Sequence, residues 1–215
     1  MLQTLFGAFF GALFGAFFAF QVQAWLTWRK EKRDQFQSGL MALYALQTQL
    51  MLLDTMDNLD EEIERGENFW ASVLAHVPIS VPVIFKPETL PYLVPVTAGT
   101  LMRDAVIAQQ RFHTILNLVR SLLDTYTSAE ERSHTVTTHM VRNISKELSK
   151  EVKTTKTLTR AVGTEMAFHI CAKFPWEDSV WRAPFVDDAP DRLGISPRPG
   201  PARRWFMRTR AFLKG

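Results

Sequence analysis

The hydrophobic positions of this chain fall into a block, two periodic stretches and a punctuated run. The block comes first: residues 1–28, MLQTLFGAFFGALFGAFFAFQVQAWLTW, carry no charged side chain, and Arg29, Lys30, Glu31, Lys32 and Arg33 follow at once. About 20 residues at about 1.5 Å each cover the hydrocarbon core of a bilayer. The block therefore predicts one membrane-spanning helix over 1–28, with its C-terminal end in the cytoplasm. Trp25 and Trp28 fall where an interfacial aromatic belt would lie. Basic residues follow the apolar run and none precedes it, the reverse of a cleaved signal peptide.

From Asp34 the pattern turns periodic. Phe36, Leu40, Leu43, Leu50, Leu53 and Met56 recur at helical spacing without an intervening proline, which predicts a stalk helix over 29–66 continuing the span. Its end is acidic (Asp54, Asp57, Asp60, Glu61, Glu62, Glu64, Glu67). No histidine accompanies these carboxylates, and acids at a helix C-terminus oppose its dipole, so they read as a solvated face or as partners for basic groups elsewhere. Residues 67–175 read as a cytosolic helical bundle with a proline-rich connection over 76–97. Pro78, Pro82, Pro87, Pro91 and Pro95 make a second span improbable there. Thr97 or Thr100 caps the next helix, which runs to about Tyr126 on an apolar face of Leu101, Ala105, Ala108, Phe112, Ile115, Val119 and Leu122. Ser128-Ala-Glu-Glu131 is a capping box and predicts the start of a last long helix, to about Phe174, bending near Gly163.

No strand pair is apparent. The fold class expected is all-α: a single N-terminal transmembrane helix continuing as a stalk, plus a bundle of about four helices. Residues 176–201 are an irregular linker rich in Asp, Pro and Gly, and 202–215 form a basic-aromatic tail. In that tail Arg203, Arg204, Trp205 and Phe206 have the composition of a short helix lying on an anionic membrane surface.

The first block carries a second period. Gly7, Gly11 and Gly15 recur every four residues, and Ala8, Ala12 and Ala16 one step later, while most of the phenylalanines occupy the other half of the helix. A small-residue face lets two backbones approach closely, so the anchor is expected to self-associate through it. Composition adds limits. The net charge is +3, too mild to imply a nucleic-acid partner on its own. The one cysteine, Cys171, excludes an intrachain disulfide and fits a reducing compartment. No glycine-rich phosphate loop, nucleophile elbow, HExxH or EF-hand pattern occurs, and neither cofactor nor metal is expected.

One helix could carry chemistry. Past Ser128, Arg142, Lys146, Lys150, Lys153, Lys156 and Arg160 share one side, opposite Val136, Met140, Ile144, Leu148 and Val152. Such a row is ordinarily a solvated face; it also has the spacing to track a phosphate backbone or an acidic protein surface. Arg132-Ser-His-Thr-Val-Thr-Thr-His139 sits at the helix start. It resembles the R-x4–6-H motif of HEPN domains, all-α modules that often act as metal-independent ribonucleases. The layout is similar to that of membrane-anchored accessory proteins of RNA-guided bacterial defence systems, which join one spanning helix to a HEPN-like bundle and assemble into rings. The resemblance implies that His139 would act as acid or base in 2′-hydroxyl attack and that Arg132 would stabilise the phosphorane charge. Ser133 stands where the family usually has Asn, His or Asp, and no enzymatic activity is expected.

The function expected is a non-enzymatic, self-associating single-pass protein of the bacterial inner membrane: an oligomeric membrane effector or gated pore, of the kind used in defence. Its partners would be the bilayer and further copies of itself. Residues 5–20 offer no charged lumen group, so a ring of such helices would enclose a constriction that dewets. The alternative is a membrane-tethered adaptor whose basic helix binds RNA or a protein.

Overall fold

The protein is described by a computed structural model covering residues 2–57, 85–86, 90, 100–129, 134–186 and 200–214. Side chains are described at 11–57, 85–86, 90, 100–124, 143–186 and 200–212. The described elements are all helical. Helix α1 spans Leu2–Met56 without a break, α2 spans Thr100–Ala129, α3 spans His134–Lys173, a short 3-10 turn covers Asp178–Arg182, and α4 spans Pro201–Lys214.

The molecule is organised along α3, which packs against both α1 and α2. Two apolar clusters give the directions. In one, Leu43 and Leu46 of α1 meet Leu101 and Ala105 of α2, Met166 and Ile170 of α3, and Phe174 just past its end. In the other, Leu53 and Met56 meet Phe112, Ile115 and Val119, and Leu148 and Val152. Residue numbers rise together along α1 and α2 and fall along α3, so α1 and α2 are parallel and α3 antiparallel to both. Parallel neighbours require the intervening chain to return over their length, and Phe85 and Leu90 are found in the cluster at the starting level. Between the clusters Gln49 and Gln109 are buried and exchange two hydrogen bonds, each amide nitrogen donating to the other's oxygen at 2.9 Å. A slip of one turn between α1 and α2 would leave both amides unpaired, so the pair fixes the register.

Ion pairs fasten the helices further down. Lys156 of α3 reaches Asp54 at 2.7 Å and Asp57 at 2.6 Å, beyond the end of α1, and Arg111 of α2 reaches Glu151 of α3 at 2.9 Å. The Lys156 ammonium is held above its ordinary range by its hydrogen bonds to Asp54 and Asp57. Lys156 therefore leaves the solvated row in which the sequence pattern puts it.

Several boundaries differ from those the pattern predicts. Helix α1 ends at Met56, with the Asp57 N–H reaching back to the Asp54 carbonyl at 3.4 Å, and the rest of the stalk expected up to residue 66 lies outside the described residues. Helix α2 runs through Ser128 to Ala129, and α3 starts at His134, so Ser128 lies in the last turn of one helix and does not begin the next. Neither Gly nor Pro stands between Thr100 and Ser128, so nothing in that stretch stops the helix earlier. Helix α3 continues through Gly163, where the Phe185 ring rests on the helix: a Cβ built there would lie 2.9 Å from three ring carbons. The glycine admits an aromatic ring.

The first half of α1 leaves the body behind. Residues 11–27 are all exposed, Phe18 at 73% and Phe20 at 67%. Among the described residues, whose side chains begin at Gly11, no helix is long and apolar enough to cross a membrane. Gln21, Gln23 and Thr27 dilute the apolar run over its last third.

Candidate functional site

The described chemistry concentrates where α1 changes character. About two turns after the uncharged stretch ends, Phe36 becomes buried against Phe174, with ring centroids 5.6 Å apart and edge-on. Between these levels lie residues 28–35, a basic segment of an exposed helix with a protein wall on one side. The wall is built by the chain after α3. Phe174 caps the core, its N–H bonding to the Ile170 carbonyl at 2.8 Å, and Glu177 turns back onto the Phe174 carbonyl at 3.1 Å. The 3-10 turn then buries Val180 and exposes Asp178.

Helix α4 closes the arrangement. Gly200 precedes Pro201, a residue suited to the first helical position because its missing N–H is unneeded there, and the Arg204 N–H makes the first helical bond to the Gly200 carbonyl at 3.0 Å. Arg204, Met207, Arg208, Ala211 and Phe212 recur at helical spacing and, with Thr209, are the less exposed positions. Arg208 donates to Glu177 at 2.5 Å, Arg204 pairs with Asp178 at 3.0 Å, and Phe212 meets Trp28 edge-on with centroids 5.3 Å apart. The C-terminal helix is thereby clamped to the segment after α3 by two ion pairs and touches α1 through one ring contact.

A cleft of about 570 Å³ lies between these parts. Its walls include Trp28, Phe36, Phe174 and Trp176, and its cations are Arg29, Lys30, Lys32, Arg33 and Arg208, against one acid, Glu177. The Lys173 ammonium nearby is pushed below its ordinary range, first by burial and then by the charge of Lys32. Arg29 stacks over the Trp25 ring, 5.3 Å from its centroid.

The residues singled out by sequence separate into groups. Gly11 and Gly15 face open space, with nothing within 4 Å of a built Cβ, and Ala12 is exposed; the side chains of Gly7 and Ala8 lie outside the described residues. Lys146, Lys150, Lys153 and Arg160 form an exposed row on α3, and the Arg142 side chain is outside the described set. Arg132 is outside it altogether, and of His139 only the helical backbone is described. In the tail Arg204 is turned inward to Asp178, while Trp205 at 70% and Phe206 at 62% exposed, with Arg203, face away from the body.

Sequence reasoning missed the cleft. Its walls come from positions far apart in the chain, and two basic-aromatic segments of like charge give no reason to expect them side by side. The available signal was Glu177 and Asp178, two adjacent acids at the start of the linker, which hold the C-terminal segment beside the first one. Comparison with family models, with curated proteins and with solved structures finds no match for this chain.

Proposed function

We propose that this protein is a single-pass membrane protein that self-associates through its N-terminal helix and works as an oligomeric, non-enzymatic membrane effector. One observation carries the reading: residues 11–27 extend α1 beyond the body as an exposed, uncharged helix with an open glycine-alanine face. Exposed apolar surface on this scale is unfavourable in water and is stabilised by lipid or by other copies. The whole uncharged stretch, at about 1.5 Å per residue, is about 40 Å long, enough to span. Basic residues 29–33 then orient the bundle towards the cytoplasm. The large residues are suited to lipid and the small ones to a second helix.

The test has two parts. Expressed in bacteria, the chain should stay in the membrane pellet after alkaline extraction, and in mild detergent it should have the mass of several protomers. Release by alkali would refute the anchor; a monomeric mass would refute self-association. The adaptor reading draws on the exposed row of Lys146, Lys150, Lys153 and Arg160. A monomer that retains RNA at low salt and loses it as salt rises would favour it. Metal-free cleavage of single-stranded RNA that disappears in His139→Ala would replace both readings by a HEPN-type nuclease.

A further inference from the structure

We infer that the cleft between α1, the segment after α3 and α4 binds the phosphate headgroup of an anionic membrane phospholipid. The inference rests on the membrane reading above and adds a ligand to it.

The first argument is charge. Five cations line the cleft and one acid opposes them. Glu177 is occupied by Arg208, and among the described residues Lys30, Lys32 and Arg33 have no acidic partner. Lys32 is half-buried beside an aromatic wall, where an uncompensated ammonium is costly. A phosphate diester would neutralise part of this excess and accept hydrogen bonds from guanidinium and ammonium groups together.

The second argument is the neutral part of the lining. The Trp28 indole N–H is buried without an acceptor among the described residues, and Trp28 borders the cleft. Buried donors are nearly always paired, and a phosphate or ester oxygen becomes an acceptor for this one once the ring turns its N–H into the cleft. Trp176, Phe36 and Leu26 offer apolar surface suited to glycerol and the first acyl carbons.

The third argument is position, which selects a lipid over a free anion. The cleft opens from Leu26 to Arg33, across the end of the uncharged stretch, so its upper rim continues into the exposed apolar face of residues 11–26. A lipid whose headgroup lies among Lys32, Arg33 and Arg208 has a surface along which its tails can run. Inorganic phosphate or a sugar phosphate would leave that rim uncovered.

The experiment uses the full chain in nanodiscs of phosphatidylcholine, alone or mixed with phosphatidylglycerol. Bound lipid is counted by native mass spectrometry after transfer to neutral detergent, and the unfolding midpoint is recorded. Phosphatidylglycerol should be retained and should raise the midpoint. Lys32→Gln with Arg33→Gln should cut retention at least fivefold, while Arg103→Gln with Arg120→Gln, an equal charge loss on α2, should leave it unchanged. Equal losses in the two double variants would overturn the site, because diffuse charge would then explain retention. Inorganic phosphate giving the same protection as phosphatidylglycerol would also overturn the lipid assignment. A chain that fails to enter nanodiscs refutes the anchor, not the cleft. Soluble short-chain phosphatidylglycerol then decides: binding that depends on Lys32 and Arg33 upholds the site, and no binding overturns it.

Discussion

Phe185 has φ of 64°, in the left-handed region that a bulky side chain adopts at a cost of about 1–3 kcal/mol. What holds it there is the seat of its ring on Gly163. Gly163→Ala should therefore lower unfolding stability by about 1–3 kcal/mol, since a methyl at that point must displace the ring or the helix. In a Phe185→Gly background, which removes the ring and relieves the backbone, the same change should cost far less; chemical unfolding in detergent would show the coupling. Additive effects would mean the contact is incidental. A lone glycine in a helical pattern carries no label distinguishing a bend from a docking place, because the partner lies 22 positions away in an irregular segment. The Gln49–Gln109 pair was equally illegible. Each residue occupies a core-facing phase of its helix, but only the fold shows that they face one another. The apolar residues behave differently: Leu43, Leu53, Phe112, Ile115 and Leu148 are all buried where their spacing puts them.

Among elements, the long periodic helices were readable and their ends were not. Helices α2 and α3 follow a clear 3.6-residue period, while Ser128 shows that a four-residue capping signature is a weak boundary when no breaker precedes it. Helix α4 has the amphipathic pattern expected of the tail, but two of its five cations, Arg204 and Arg208, are committed to Asp178 and Glu177 within the protein. The N-terminal part of α1 differs from every other described helix in lacking a partner along 11–27. Its glycine face makes a specific prediction. Gly11→Ile should push neighbouring helices apart and lower the oligomer mass in detergent, whereas Phe10→Ile on the bulky side should not. Equal effects from the two changes would show that association does not use the small face.

For the molecule as a whole, the sequence carried the all-α class and the order of the long helices but not the meeting of α4 with the basic segment of α1, since like-charged segments need intermediary acids to come together. Cys171 provides a means to test orientation. It is buried, and burial pushes its thiol up to about 12, so it should react with maleimide only after unfolding. An engineered Gly200→Cys, on an exposed residue, should then be the sole reactive thiol, labelled by an impermeant reagent in broken cells and not in intact ones. Labelling in intact cells would reverse the orientation. The unbroken course of α1 also has a mechanical consequence. A helix of 55 residues is a rod of about 80 Å with no hinge between its free half and the half that forms the bundle. If two rods cross at Gly11 by the roughly 40° typical of glycine-mediated contacts, their axes stand about 25 Å apart by the level of Phe36. The crossing angle would then set the spacing of the bundles, and a small change of tilt at one end would be read as a lateral displacement at the other.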